Sequence, residues 1–433
     1  MGRHFFRWRL AWIVDWMGHS MSTTRFSCLL VCCLVAAGAF SARAEENWPR
    51  FRGPLGTGHS TETALPVKWD AKSIRWKVAI PGKGQSSPVN WGNKLFLTSG
   101  SDDGRLRQVF AIDTATGNLL WTAKVPVSQP ETPHQMNSFA TATCATDGEV
   151  VVAFFGPGGL HAWDLAGKPL WSRTDLGGFP GDWGVGASPI IDGDLVIQNC
   201  DAEGPSHLLA VHRKTGETVW STPRQDSPKG GWSTPIVIEA GGRRELVLNG
   251  EFGLNGYDPA TGKELWFCEA FNGRGEPVPE YAKGLLYVVS GKPGDTYVVK
   301  PGGSGNVTQT HRLRSSKRQG GRDLASPVVV GDVLFVTSMS GIALCYDANT
   351  GEVLGDPTRL EAAISASPLV ANGLIYLQAE NGDVMVVRAG KTLEIVARNS
   401  VGAGPEEVFR ASPGSIGGAL YLRSTTALYR IGG

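Results

Sequence analysis

The chain has 433 residues, 41 lysines and arginines against 40 acidic residues, and an apolar share of 41%. That balance excludes a disordered polyelectrolyte, and it leaves no basic field of the kind that holds nucleic acid. Glycine (57 residues) is well above its usual share and is joined by 14 tryptophans, a composition of many turns and many aromatics that points to many short strands.

In chain order, residues 1–44 read as an export signal. Met21, the expected start, and Arg25 open a short positive stretch, Phe26 to Phe40 form an apolar run, and Ala42-Arg43-Ala44 supplies a small-x-small cleavage site. The run is about 15 residues, short of the roughly 20 a spanning helix needs. Cleavage after Ala44 is expected, leaving a mature chain without a membrane span in the periplasm or outside the cell. Losing five arginines and one aspartate takes the net charge from +1 to −3. Cys144, Cys200, Cys268 and Cys345 then remain, at irregular spacing and without a CxxC pair. They read as buried small apolar residues, not as disulfides or metal ligands.

Residues 45–69 form a lead-in segment containing Trp48-Pro49-Arg50-Phe51-Arg52-Gly53-Pro54, expected to pack across the body of the fold. From residue 70 a repeat takes over. Asp113, Gly117 and Trp121 recur as Asp164 and Trp171, as Gly216 and Trp220, as Asp258, Gly262 and Trp266, and as Asp347 and Gly351; His212 replaces one aspartate and Gly355 one tryptophan. The aspartate can cap a turn, the glycine supplies the left-handed residue that closes a short hairpin, and the tryptophan fills the gap between neighbouring sheets. Trp76, Trp121, Trp171, Trp220 and Trp266 lie 45 to 50 residues apart, one four-stranded sheet per interval. A second series sets the count. Ser86-Ser87-Pro88, Ala187-Ser188-Pro189, Ser233-Thr234-Pro235, Ala325-Ser326-Pro327, Ala366-Ser367-Pro368 and Ala411-Ser412-Pro413 each precede a short apolar strand, with Thr143-Cys144 and Val278-Pro279 in the two gaps. The prediction is an all-β, eight-bladed β-propeller of four-stranded antiparallel blades over 70–433, with degenerate blades near 298–308 and 386–396. The strand around Trp76 and the C-terminal strands share one blade and close the ring.

The repeat Ala-x-Asp-x-x-Thr-Gly-x-x-x-Trp resembles that of the PQQ-like, quinoprotein-type β-propellers, over about residues 70–433, and the lead-in resembles that of exported, largely uncharacterised bacterial members. The resemblance implies one of two uses. Quinoprotein dehydrogenases hold pyrroloquinoline quinone (PQQ) and Ca²⁺ in such a propeller, whereas a propeller lipoprotein of the outer-membrane β-barrel assembly machinery is a non-catalytic scaffold. The dehydrogenases cover one face of the quinone with a disulfide between adjacent cysteines; here Cys32-Cys33 is the one adjacent pair, and it sits in the signal. There is no CxxCH haem site, Gly-x-Ser-x-Gly elbow or HExxH pair. Asp102-Asp103-Gly104 reads as a solvated hairpin tip. The leading expectation is a non-catalytic, monomeric scaffold for an unidentified protein or envelope partner, with no nucleic acid, metal or cofactor. The alternative is an oxidoreductase using PQQ or another small ligand, with Ca²⁺ required for PQQ, at the channel mouth.

Loops entering the inner strands line one mouth of a propeller, so candidate ligand or partner residues are His134, Asn137, Trp183, Trp232, Arg322, Asp323 and Arg410, with Arg224 in a linker nearby. Gln85 occupies an equivalent place. Arg312, Arg314, Lys317 and Arg318 form the densest charge run and read as a basic docking loop after the fifth blade.

Overall fold

The computed structural model describes residues 47–181, 183–226, 231–270, 274–291, 294–316 and 325–433. The signal segment, Lys317, Arg318, Arg322 and Asp323 therefore lie outside the described residues. Eight antiparallel sheets are present, each with a core of four strands. Blade one runs outward as Val89–Trp91, Lys94–Gly100, Leu106–Asp113 and Leu119–Pro126. The next six begin at inner strands Ala145–Thr146, Ile190–Asp192, Ile236–Ala240, Glu280–Ala282, Val328–Val330 and Leu369–Ala371. The eighth combines Gly414–Ile416, Ala419–Arg423 and Ala427–Gly432 with Ile74–Ala79, which pairs antiparallel with Ala427–Gly432. The chain ends thus close the ring through one shared sheet, as the sequence implies. The core is a belt of layers between blades: Trp171 packs with Val196 and Leu209 of the next sheet, and Trp220 with Leu246 and Tyr257.

Local chemistry accounts for the repeat. Asp113 Oδ1 accepts the amides of Ala115 and Thr116 at 3.1 and 2.9 Å, and Asp258 and Asp347 cap their turns in the same way. His212 substitutes its Nδ1 as acceptor for the Lys214 amide at 3.3 Å. Each turn is then clasped by the preceding blade. The Trp121 indole donates to Leu165 O at 3.1 Å, Trp171 to Arg213 O at 2.8 Å and Trp220 to Pro259 O at 3.1 Å. A Cβ on Gly167, Gly216 or Gly262 would come within 2.4 to 2.8 Å of those rings. The glycine is therefore needed twice, for its left-handed φ and to let the indole approach. Truncating one such tryptophan removes a contact of the kind worth about 3–5 kcal/mol.

The pattern changes around the degenerate fifth blade. Trp266 turns into its own sheet and donates to Glu245 Oε2 at 2.8 Å. In its place Gly305–Asn306, from the long connection inside blade five, adds a parallel fifth strand to the outer edge of blade four. The run expected to be a basic loop is instead strand over Arg312–Ser316, the outer strand of blade five, because residues 300–311 are used up in reaching blade four. Arg314 takes the tryptophan's position, and its guanidinium donates to Asn349 O of the next turn. Asp102 and Asp103 sit in an exposed turn where Lys83 meets Asp102 at 3.0 Å. The four described cysteines are buried with free thiols, and burial pushes Cys144 up to about 12 and Cys268 to about 11. No helix among the described residues is long and apolar enough to cross a membrane.

Candidate functional site

The lead-in segment closes one end of the central channel. Trp48 is buried and exchanges two bonds with Asn90 of blade one, at 2.7 and 2.8 Å. The chain then turns at Gly53, where a Cβ would strike the Trp48 ring at 2.7 Å. It crosses to blade seven, where His59–Ser60 pairs parallel with the inner strand Leu369–Ala371. Arg52, fully buried in the crossing, donates to Thr57 O at 2.5 Å and Pro327 O at 3.0 Å and meets Glu280 of blade five at 3.4 Å. Burial lowers its pKa to about 10 against the opposing pull of Glu280, so it stays charged at neutral pH. His59 Nε2 lies 2.9 Å from the other Glu280 oxygen.

Above the Phe51 ring of this crossing, the other end opens into a cavity of about 170 Å³ to which all eight blades contribute. Its wall has two tiers, because side chains alternate along an extended backbone. The lower tier is the hydroxyl of each Ser/Thr-Pro marker. Ser87 N–H donates to Thr143 Oγ1 at 2.8 Å, Thr143 N–H to Ser188 Oγ and Ser188 N–H to Thr234 Oγ1, each at 2.9 Å. The circle resumes from Val278 N–H to Ser326 Oγ at 3.0 Å and Ser326 N–H to Ser367 Oγ at 3.1 Å. It closes through Ser412 Oγ at 2.9 Å and back to Ser87 Oγ at 3.0 Å. One link is missing, at Val278, which has no hydroxyl to offer Thr234. The series read from sequence as strand markers is thus an inter-blade hydrogen-bond ring.

The upper tier is the residue two positions earlier, among them Gln85, Trp232, Glu276, Ser365 and Arg410. Loops before blades two and three fold over it. Arg107, buried and paired with Glu131 at 2.7 Å, lies 4.5 Å from the Phe139 ring centroid and anchors the first loop. Met136 O then accepts Gln85 Nε2 at 2.8 Å and Arg410 Nη1 at 2.9 Å, and Asn137 Nδ2 donates to Trp183 O at 2.5 Å. The Met136 amide donates to His134 Nδ1 at 3.2 Å, which places the ring proton of the neutral imidazole on Nε2. His134 sits 4.2 Å from the Trp183 ring and the Arg274 guanidinium 4.0 Å from the same ring, so the indole is covered by its own neighbours. Arg274 also reaches Trp232 at 5.9 Å. The Arg410 charge is taken up by Glu380, at 3.2 Å from both Nε and Nη2. Arg274, by contrast, has no carboxylate within ion-pair distance among the described residues.

Of the residues expected at the mouth, His134, Asn137, Trp183, Trp232 and Arg410 all line this cavity. Arg224 does not. It ends the outer strand of blade three, three strand spacings (about 14 Å) farther from the axis, and pairs with Asp201 at 2.8 Å beside Tyr257. Burial opposes its charge, and Asp201 and Tyr257 more than restore it, raising its pKa. Arg274, Glu276 and Phe51 were missed. Counting two residues back from Val278-Pro279 would have found Glu276.

This ring of clasped blades with one walled mouth defines the chain as a propeller of the PQQ-like repeat class. The chain belongs to the family described as outer membrane protein assembly factor BamB, whose model matches residues 59–198, 204–308 and 298–396. It is 27% identical over 276 residues to the assembly factor BamB of Burkholderia pseudomallei, covering 63% of this chain and 65% of that protein. It is 24% identical over 285 residues to a tetrathionate hydrolase of Acidithiobacillus ferrooxidans, covering 61% and 51%. The chain spans between about half and two thirds of these curated relatives. A europium-containing methanol dehydrogenase superposes with a TM-score of 0.65 at 14% identity, over 87% of this chain and 89% of that one, a likeness of fold.

Proposed function

We propose that this protein is an exported, non-catalytic binding propeller that recognises a protein or envelope partner at its open mouth. The observation that carries the reading is the mouth itself: eight blades and two anchored loops build one walled cavity, while the lead-in segment seals the other end. Family membership supports a role in assembly at the outer membrane, and the signal pattern of residues 1–44 supports export. The cavity chemistry favours binding over turnover. His134 touches no hydroxyl among the described residues, so no imidazole base faces a nucleophile there, and the Ser365 hydroxyl donates to a Glu380 carboxylate that is already engaged by Arg410.

The donor set is a poor match for a quinone with its calcium ion. Calcium takes six to eight oxygen ligands, whereas Glu276 is the sole carboxylate among the lining residues and shares the cavity with the guanidiniums of Arg274 and Arg410. Trp183, the obvious platform for a flat ring, is already covered by His134 and Arg274.

The reading is tested by placing a photo-crosslinking amino acid at Asn137 and, as a control, at the exposed rim residue Leu170, then irradiating intact cells. Discrete adducts from position 137 that are absent from 170 are expected. Recovery of uncrosslinked chain alone, or of the same adducts from both positions, would sink it.

A further inference from the structure

We infer that the mouth cavity is a carboxylate-binding site, with Arg274 as the counter-charge and the hydroxyl ring as the donor set; as an assignment of what the open mouth recognises, this rests on the reading above. The ring carries the argument. Ser87, Thr143, Ser188, Thr234 and Ser412 are each more than nine-tenths buried and line the cavity. Each hydroxyl oxygen already accepts an amide from the neighbouring blade. That bond fixes the oxygen, and its own hydrogen finds no acceptor among the described residues; by contrast, Ser367 Oγ does donate, to Ser326 Oγ at 3.2 Å. Five buried O–H donors held around one axis are costly unless something that accepts hydrogen bonds sits among them.

The charge beside the ring selects the acceptor. A sugar would stack on a free aromatic face, yet Trp183 is covered by His134 and Arg274. A cation is opposed by Arg274, the Arg410 charge being taken up already by Glu380, and Glu276 is the one lining carboxylate that an incoming anion must stay clear of. An anion with two oxygens meets both requirements, because a carboxylate accepts about four hydrogen bonds and a guanidinium is the side chain best shaped to pair with it. Arg274 is pre-positioned for this by its contacts with two indoles, which orient it without neutralising it. At about 170 Å³ the cavity admits a carboxylate with a short stem. Two sources offer that chemistry, the C-terminal end of a polypeptide and a small free carboxylic acid.

The test uses the purified mature protein and titration calorimetry with three probes: N-acetyl-Ala-Ala with a free carboxylate, its C-terminal amide, and sodium propionate. Binding of the acid peptide with a Kd of about 1 mM or tighter, and none of the amide, is expected. Arg274→Gln should weaken it by roughly tenfold or more, the loss of a charge-assisted hydrogen bond. Equal binding of acid and amide, or an unaltered Arg274→Gln affinity, would overturn the assignment. The acid and amide comparison needs no variant, so a folding defect in Arg274→Gln cannot hide the answer. Tighter binding of peptide than propionate names a chain end as the source; parity names the free acid. Adducts at Asn137 without carboxylate preference would overturn this assignment and leave the binding-propeller reading standing. Carboxylate binding without adducts would do the reverse.

Discussion

The two ends of the channel are built from the same eight inner strands and have opposite characters. At the closed end, charges are buried and paired: Arg52 meets Glu280, which also faces His59, and backbone carbonyls take further guanidinium donors. At the open end, Arg274 is held in place by aromatic faces with no carboxylate within ion-pair distance among the described residues, and hydroxyl hydrogens point at no described acceptor. A buried pair holds a structure together because either member alone would be stranded. An oriented charge with no carboxylate partner among the described residues stabilises little and is available to something else. One end closes the molecule on itself, and the other faces outward.

The contrast can be broken most severely at the closed end. Arg52→Ala should cost about 3–5 kcal/mol by leaving Glu280 buried without its guanidinium, read as a lower denaturant midpoint; an unchanged midpoint would mean that the backbone crossing alone seals the channel.

A smaller effect is expected at the latch that carries the Arg410 loop to the mouth. Glu407 accepts Lys77 Nζ at 2.6 Å, Tyr429 OH at 2.7 Å and Ser424 Oγ at 2.7 Å. Burial pushes its pKa up, but those hydrogen bonds outweigh burial and leave it below the ordinary value of 4.5. A depressed carboxylate stabilises the fold fully above its unfolded pKa and progressively less as pH falls through the folded one. Acidification below about 4.5 should therefore lower hydrogen-exchange protection, corrected for the intrinsic rate, at Phe409 and Thr425, whose amides tie this loop down, ahead of Val370 at the closed end. Glu407→Gln should cost about 1–2 kcal/mol at neutral pH and abolish that acid step; identical acid profiles in the two proteins would remove Glu407 from the account.

Smallest of all, Trp183→Ala should shift stability by less than about 1 kcal/mol while reducing adduct formation at Asn137. A large loss of stability would show that the mouth is as structural as the seal.

How far the sequence could be read depends on how local each determinant is. The Asp-x-x-Thr-Gly turns and the Ser-Pro markers are written within a few residues, so blade number and ring closure could be counted. His134, Trp183, Trp232 and Arg410 were recognisable because each precedes a marked inner strand. Arg274 was not, because Val278-Pro279 lacks the hydroxyl that flags its seven counterparts. Arg224 was misplaced for a geometric reason: residues at one face of a blade can differ by three strand widths in radius, and linear spacing carries no radius. Arg312 and Arg314 read as loop because the strand they form has no tryptophan, and the turn before it is replaced by residues that leave for blade four.

That departure has a consequence for how the protein tolerates change. At most joints the union is made by a side chain against a glycine, so a point substitution can loosen it while loops nearby are free to vary in length. Between blades four and five the union is made by main chain. Gly305–Asn306 pairs with Trp266 and Phe267, the Val307 amide donates to Phe267 O at 2.8 Å, and Glu269 N–H donates to Thr308 Oγ1 at 2.8 Å. There the sensitivities are inverted: apart from Thr308, side chains matter less than length, and a single inserted or deleted residue would throw the borrowed strand out of step and unbutton the ring where both its indole clasp and its hydroxyl link are already missing.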